Sequence, residues 1–161
     1  MSRLKIDGAH FCRNLSVMTR SIGVDGLPRL VELGCHSAEL KYSIAGGTND
    51  MGRPSLELYI SGRFMLTCQR CLMPLQWGMT SRVDLELVSS QEAIDNAIDD
   101  RDRVLAGKEM DVDALIEDEI ILEIPMIPRH DVCLTTKALE VLEGASPFGV
   151  LALLKRGAAR D

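Results

Sequence analysis

A chain of 161 residues, 46% apolar and 26% charged, is the right size for one ordinary domain and can bury a core without cross-links. No apolar run reaches the ~18 residues of a membrane-spanning helix, and a net charge of −6 argues against a strongly basic nucleic-acid footprint. The N-terminal MSRLKIDGAHFC lacks the apolar stretch of a signal peptide, so a cytoplasmic location is expected, where the five cysteines stay reduced. The charge is unevenly spread. Residues 1–90 carry ten Lys/Arg against eight Asp/Glu, residues 91–125 three against twelve, and residues 126–161 five against four.

In chain order, Asp7 can cap a helix with Phe11, Leu15 and Met18 on one face, ended by the turn around Gly23 and Gly26-Leu27-Pro28. Alternation follows. Leu40, Tyr42 and Ile44 share one face of a strand while Glu39, Lys41 and Ser43 share the other. GGTNDMGRP (46–54) reads as a loop, and SLELYI repeats the alternation through Leu56, Leu58 and Ile60. Ser61-Gly62 is a candidate hairpin turn into RFMLTC, and PLQWGM and RVDLELV extend the pattern. From Ser89 the two-residue period stops, and an acidic loop or short solvated helix is expected. Asp111 then caps a helix with Val112, Leu115, Ile116 and Ile120 on one face and Pro125 at its end. The last helix has Ser146 as N-cap, Pro147 in its first turn, Lys155 and Arg156 at its end and Gly157 beyond.

The fold class is therefore α+β: an antiparallel meander, open or barrel-like, packed with two to three helices. One domain over 1–161 is expected. It has a helical N-terminal part (1–36), a sheet (37–89), an acidic loop (90–110), a helix (111–124) and a C-terminal helix (146–156).

Chemistry is concentrated in TCQRCLMPLQ (67–76). Cys68-x-x-Cys71 supplies two sulfurs that a turn can aim at one point, half of a tetrahedral zinc site. His130 and Cys133 have matching spacing and are the candidate other half, although 58 residues intervene. The plainer reading, reduced thiols packed near strand ends with no cofactor, stands ahead of that zinc site, and a redox dithiol, which would need a helix opening at the pair, comes last. The carboxylates Glu117, Asp118, Glu119 and Glu123 read as a solvated helix face before a cation site or an acid/base pair. His10 and His36 are isolated. No phosphate-binding glycine loop, nucleophile elbow or zinc-protease motif occurs, so no enzyme is indicated.

Three stretches together resemble the YceD family: CQRCL at 68–72, LIEDEIILEIPMIPRH at 115–130 and SPFGVLALLK at 146–155. The resemblance covers roughly residues 40–156. It implies a non-enzymatic role in accumulation of the large-subunit (23S) ribosomal RNA and so in ribosome biogenesis, with ribosomal RNA, a large-subunit ribosomal protein or an assembly factor as partner. Many relatives carry a second C-x-x-C in the C-terminal part, which makes zinc natural there; this chain has His130 and Cys133 at that place. On such a domain Arg63, Arg70, Arg82, Arg129, Lys155 and Arg156 are the candidate phosphate contacts, because the planar guanidinium pairs well with phosphate. The acidic 91–125 segment instead suits a basic protein partner, contacted without RNA. A thiol oxidoreductase is the remote third reading.

Overall fold

In Ser37–Thr48, Ala38, Leu40, Tyr42 and Ile44 occupy every second position, and an extended chain puts them on one face. Those four are buried, and the residues between them face outward. The computed structural model describes residues 3–133. In chain order its elements are β1 (Lys5–Ile6), α1 (Gly8–Arg13), β2 (Val17–Gly23), a 3-10 turn (Val24–Gly26), α2 (Pro28–Glu32), β3 (Ser37–Thr48) and β4 (Pro54–Thr67). Then come β5 (Pro74–Val88), α3 (Gln91–Asp95), β6 (Arg103–Leu105), β7 (Met110–Asp111) and α4 (Val112–Glu123).

β2 to β6 form one sheet in chain order, antiparallel except for the parallel pairing of β5 with β6; β1 and β7 pair separately. The α+β reading stands, with four α-helices among the described residues. The barrel-like option does not. β2 and β6 lie at opposite edges and are not paired with each other, so the sheet is open.

The inner face of the sheet, the two short helices α1 and α2, and the stripe Val112, Ile116 and Ile120 of α4 share one apolar cluster. Asp111 caps α4 as its spacing predicts, its carboxylate accepting from Ala114 N at 3.0 Å. Asp7 caps α1 in the same way through His10 N at 2.9 Å.

Two expectations fail for physical reasons. The first helix stops at Arg13, because Leu15 adopts φ 50°, and the segment carrying Met18 becomes β2, paired with β3 from Val17↔Ala45 to Gly23↔Glu39. Ser61-Gly62 is not a turn but the middle of β4, opposite Leu40 and Met79 in register. Gly62 is there for space: a Cβ would lie 3.0 Å from Glu39 O and 3.1 Å from the Phe64 ring. In the 90–110 stretch α3 is the short solvated helix offered beside a loop, while the strand β6 is not anticipated. The predicted helix over 146–156 lies outside the described residues.

The acidic helix α4 is the largest surprise. Its buried stripe contains Asp113 and Glu117 among Val112, Ile116 and Ile120, at spacings of three and four. Asp113 accepts from Tyr42 Oη at 2.8 Å, Arg20 Nη1 at 3.0 Å and Leu4 N at 3.0 Å. Burial, followed by the bond to Asp113, pushes the Tyr42 phenol well above its usual value. Glu117 reaches α2, where Oε1 accepts from Arg29 N at 2.7 Å and Leu30 N at 3.1 Å. Asp113 and Glu117 are internal fasteners, so the expected solvated face loses Glu117, while Asp118 and Glu123 are exposed and Glu119 is half-buried.

Candidate metal centre

β4 ends at Thr67 and β5 begins at Pro74, paired directly across from it. The six residues between make a tight turn, with Cys68 N donating to Met73 O at 3.0 Å and Leu72 N to Cys68 O at 2.9 Å. Leu72 follows the second cysteine with φ 59°, a left-handed conformation that turns the chain sharply enough for both sulfurs to face one point. No helix opens at Cys68 or Cys71, which removes the structural basis of a thioredoxin-like dithiol.

The second half arrives after α4. Pro125 breaks the helix, and the chain runs back past the turn, where Gln69 N donates to Pro128 O at 2.8 Å and His130 N to Cys68 Sγ at 3.4 Å. The structure thus brings together all four residues that the spacing paired. One donor atom from each of Cys68, Cys71, His130 and Cys133 lies within 4.8 Å of every other. The 58-residue separation in sequence is spanned by β5, α3, β6, β7 and α4.

The donor set fits a tetrahedral zinc ion. With Zn–S near 2.3 Å and Zn–N near 2.0 Å, a tetrahedron has S···S edges of about 3.8 Å and S···N edges of about 3.5 Å. Cys68 Sγ and Cys133 Sγ are 3.8 Å apart, and Cys71 Sγ and His130 Nδ1 are 3.4 Å apart. His130 is oriented for this. Its Nε2 is 3.1 Å from Pro74 O, and a carbonyl can only accept, so Nε2 carries the ring proton and Nδ1 keeps a lone pair for a metal.

The sulfurs are not alike. Burial pushes the Cys68 thiol up, but the N–H groups of Cys71, His130 and Arg70, with the Cys71 thiol, outweigh it and bring its pKa down to about 5. The N–H of Met73 draws Cys71 down, yet burial and the neighbouring Cys68 and Cys133 hold it above its ordinary value. Cys68 and Cys133 are buried; Cys71 and His130 are half-buried. The other two cysteines are core thiols: Cys12 donates to Ser55 O at 3.1 Å and Cys35 to Ser37 O at 3.3 Å. Burial raises both.

Arg70, placed in the sequence among candidate phosphate contacts, turns its guanidinium into the cluster. Its Nε donates to Cys133 Sγ at 2.9 Å, and one Nη donates to the carbonyls of His130 at 3.1 Å and Asp131 at 3.3 Å. Arg63 and Arg82 do lie on the exposed face of the sheet, but each is ion-paired at 3.0 Å, with Glu39 and Glu57 respectively. Arg129 is exposed and has no ion-pair partner among the described residues. Lys155 and Arg156 lie outside the described residues. His10 pairs with Asn14 and His36 with Thr67, and neither histidine belongs to the cluster.

A second feature joins Glu119 and Glu123 to carboxylates that the sequence does not connect with them. A hollow of about 820 Å³ is lined by Glu57, Asp84, Asp102, Glu119 and Glu123, with Arg82 and Arg101 among the cations beside them. Burial, then Asp102, Asp118 and Glu123 in turn, hold the Glu119 carboxyl above its usual range. The carboxylates come from β4, β5, the β6 approach and α4, and no sequence period could have grouped them.

The family model for "Large ribosomal RNA subunit accumulation protein YceD" matches residues 56–150, more than half of the chain. The chain belongs to the YceD family. The YceD match contains both halves of the four-residue cluster, Arg70 and all of α4, and it stops short of Lys155 and Arg156. No solved structure matches the chain. Among the described residues no helix is long and apolar enough to cross a membrane.

Proposed function

We propose that this protein supports accumulation of the large-subunit ribosomal RNA as a non-catalytic binding factor of the cytoplasm. The observation that carries the reading is the YceD match over residues 56–150. Charge favours a basic protein, a ribosomal protein or an assembly factor, as the direct partner. The outer face of β3 to β5 sets Lys41, Arg63 and Arg82 against Glu39, Glu57 and Asp84, which leaves little net attraction for phosphate. The acid-lined hollow beside it suits Lys- and Arg-rich chain.

The test has two parts. Cells lacking the gene should show a lowered ratio of large to small subunits and less large-subunit RNA; an unchanged ratio overturns the reading. Tagged protein purified after nuclease treatment should retain a basic partner. Direct RNA contact is the second reading, favoured by Arg129, which is exposed and has no ion-pair partner among the described residues. Loss of every partner after nuclease, together with salt-dependent affinity of the pure protein for ribosomal RNA, would establish it instead.

Within this role Cys68, Cys71, His130 and Cys133 are a structural zinc site. Four protein donors leave no open position for a substrate, so when bound the ion supplies a cross-link between the β4–β5 turn and the segment after α4. Elemental analysis of the purified protein should give one zinc per chain, and Cys133→Ser should lose it.

A further inference from the structure

We infer that Arg70 is a positioning residue of the zinc site, balancing its charge and holding the His130–Cys133 segment in ligating geometry. The inference rests on the zinc reading above. Three thiolates and a neutral imidazole around Zn²⁺ leave one net negative charge, and two of the three sulfurs, those of Cys68 and Cys133, are buried. An uncompensated charge in such a place is unfavourable unless a cation or hydrogen bonds meet it. Arg70 provides both, through Nε at 2.9 Å from Cys133 Sγ.

Its second contribution is geometric. Arg70 sits between Cys68 and Cys71 in the chain, yet its Nη donates to the His130 and Asp131 carbonyls at 3.1 and 3.3 Å. One side chain therefore belongs to the first ligand pair and grips the backbone of the second. A planar guanidinium reaches the sulfur with one nitrogen and both carbonyls with another, at a fixed angle; an ammonium is a single point. Arg70 is itself exposed, so it covers the buried sulfurs from the solvent side. This is the outer-sphere arrangement that orients metal ligands and tunes their donor strength. It also accounts for an arginine directed away from the balanced outer sheet face that holds Arg63 and Arg82.

The experiment compares the full chain with Arg70→Gln and Arg70→Lys. Zinc affinity is read by competition with a chromophoric chelator, and site symmetry by the absorption of the Co²⁺-substituted protein. Arg70→Gln should weaken zinc binding about 10–100-fold while keeping one ion per chain. Without the N–H donated to Cys133 Sγ, the sulfur-to-cobalt charge-transfer band should move to longer wavelength, which general loss of stability would not cause. Arg70→Lys keeps the charge but not the fork, and should recover only part of the affinity. Zinc affinity within twofold of wild type in both variants, with an unshifted cobalt band, overturns the role of Arg70 and leaves the metal site intact. If Arg70→Gln fails to fold, Arg70→Lys alone decides by the same two readings. A wild-type chain that binds neither Zn²⁺ nor Co²⁺ overturns the metal site and this inference together.

Discussion

Replacing Glu117 tests whether the acidic helix is tied into the core, as the structure requires. The side chain is 1% exposed and comes from a position 88 residues away from its main partner in sequence. α2 opens on Leu27, which offers no side-chain cap, so its first N–H groups depend on an outside acceptor. Glu117 Oε1 serves two of them, at Arg29 and Leu30, while Oε2 accepts from Arg29 Nε at 3.2 Å. In Glu117→Ala two backbone donors lose their partner, Leu30 N–H in a buried place and Arg29 N–H in a part-buried one. The cost is about 1–3 kcal/mol for the buried donor and less for the other, and the side-chain volume is lost as well. The expected destabilisation is about 3 kcal/mol, carried by the two orphaned N–H groups, since Arg29 is half-exposed and keeps Asp118 as a partner. Glu117→Gln keeps one acceptor oxygen for the two N–H groups but turns its NH₂ toward the Arg29 guanidinium, donor against donor. Its expected effect is about 2 kcal/mol. Urea unfolding monitored by circular dichroism, at fixed metal content, should give midpoints in the order wild type, Gln, Ala with a common slope. An alanine variant within 1 kcal/mol (~5-fold in the equilibrium constant) of wild type would refute the argument.

The other predictions concern backbone and charge. Gly46→Ala should destabilise by about 2 kcal/mol or more, because the new Cβ would lie 2.6 Å from Phe11 O and 2.8 Å from its carbonyl carbon. Gly47→Ala is its control, with nothing within 4 Å, and thermal unfolding of the two should differ clearly. Leu72→Gly should stabilise by about 0.5–1 kcal/mol, since it relieves a left-handed leucine that is 74% exposed and so buries little; a lowered melting temperature would contradict this. The hydrogen bond from Arg53 holds Glu86 below its usual 4.5, so its contribution is complete above that value and lost as pH falls through the lower folded pKa. The stability difference between wild type and Glu86→Gln should therefore be largest near neutrality and shrink in acid, as urea midpoints measured against pH will reveal.

What the sequence made legible follows local rules. The strands β3 and β5 were visible because alternation is strict there, and α4 because Asp111 and Pro125 mark its ends. β2 was missed because Met18 fits a helical spacing from Phe11 as well as a strand alternation with Arg20 and Ile22. Only the pairing with β3 decides between the two periods. Glu117 reads as solvated when charge is weighed above position, yet it shares the three- and four-residue spacing of Ile116 and Ile120, as does Asp113. The four candidate ligands were found by spacing within each half, but their meeting depends on topology. The inward turn of Arg70 depends on where the His130 and Asp131 carbonyls lie, which no local pattern encodes.

The distance that made the two ligand pairs an improbable match has a thermodynamic use. Cys68 and Cys133 stand 65 positions apart, and a metal held by both closes the intervening chain into a ring. In the loop-entropy treatment of cross-links, a ring of that size restricts the unfolded chain by about 4 kcal/mol, more than the short rings of compact zinc modules. β5, β6 and α4 all lie inside it. Chelation would release most of the sheet's second half from that constraint at once, so zinc supply would set how much of the factor stays folded.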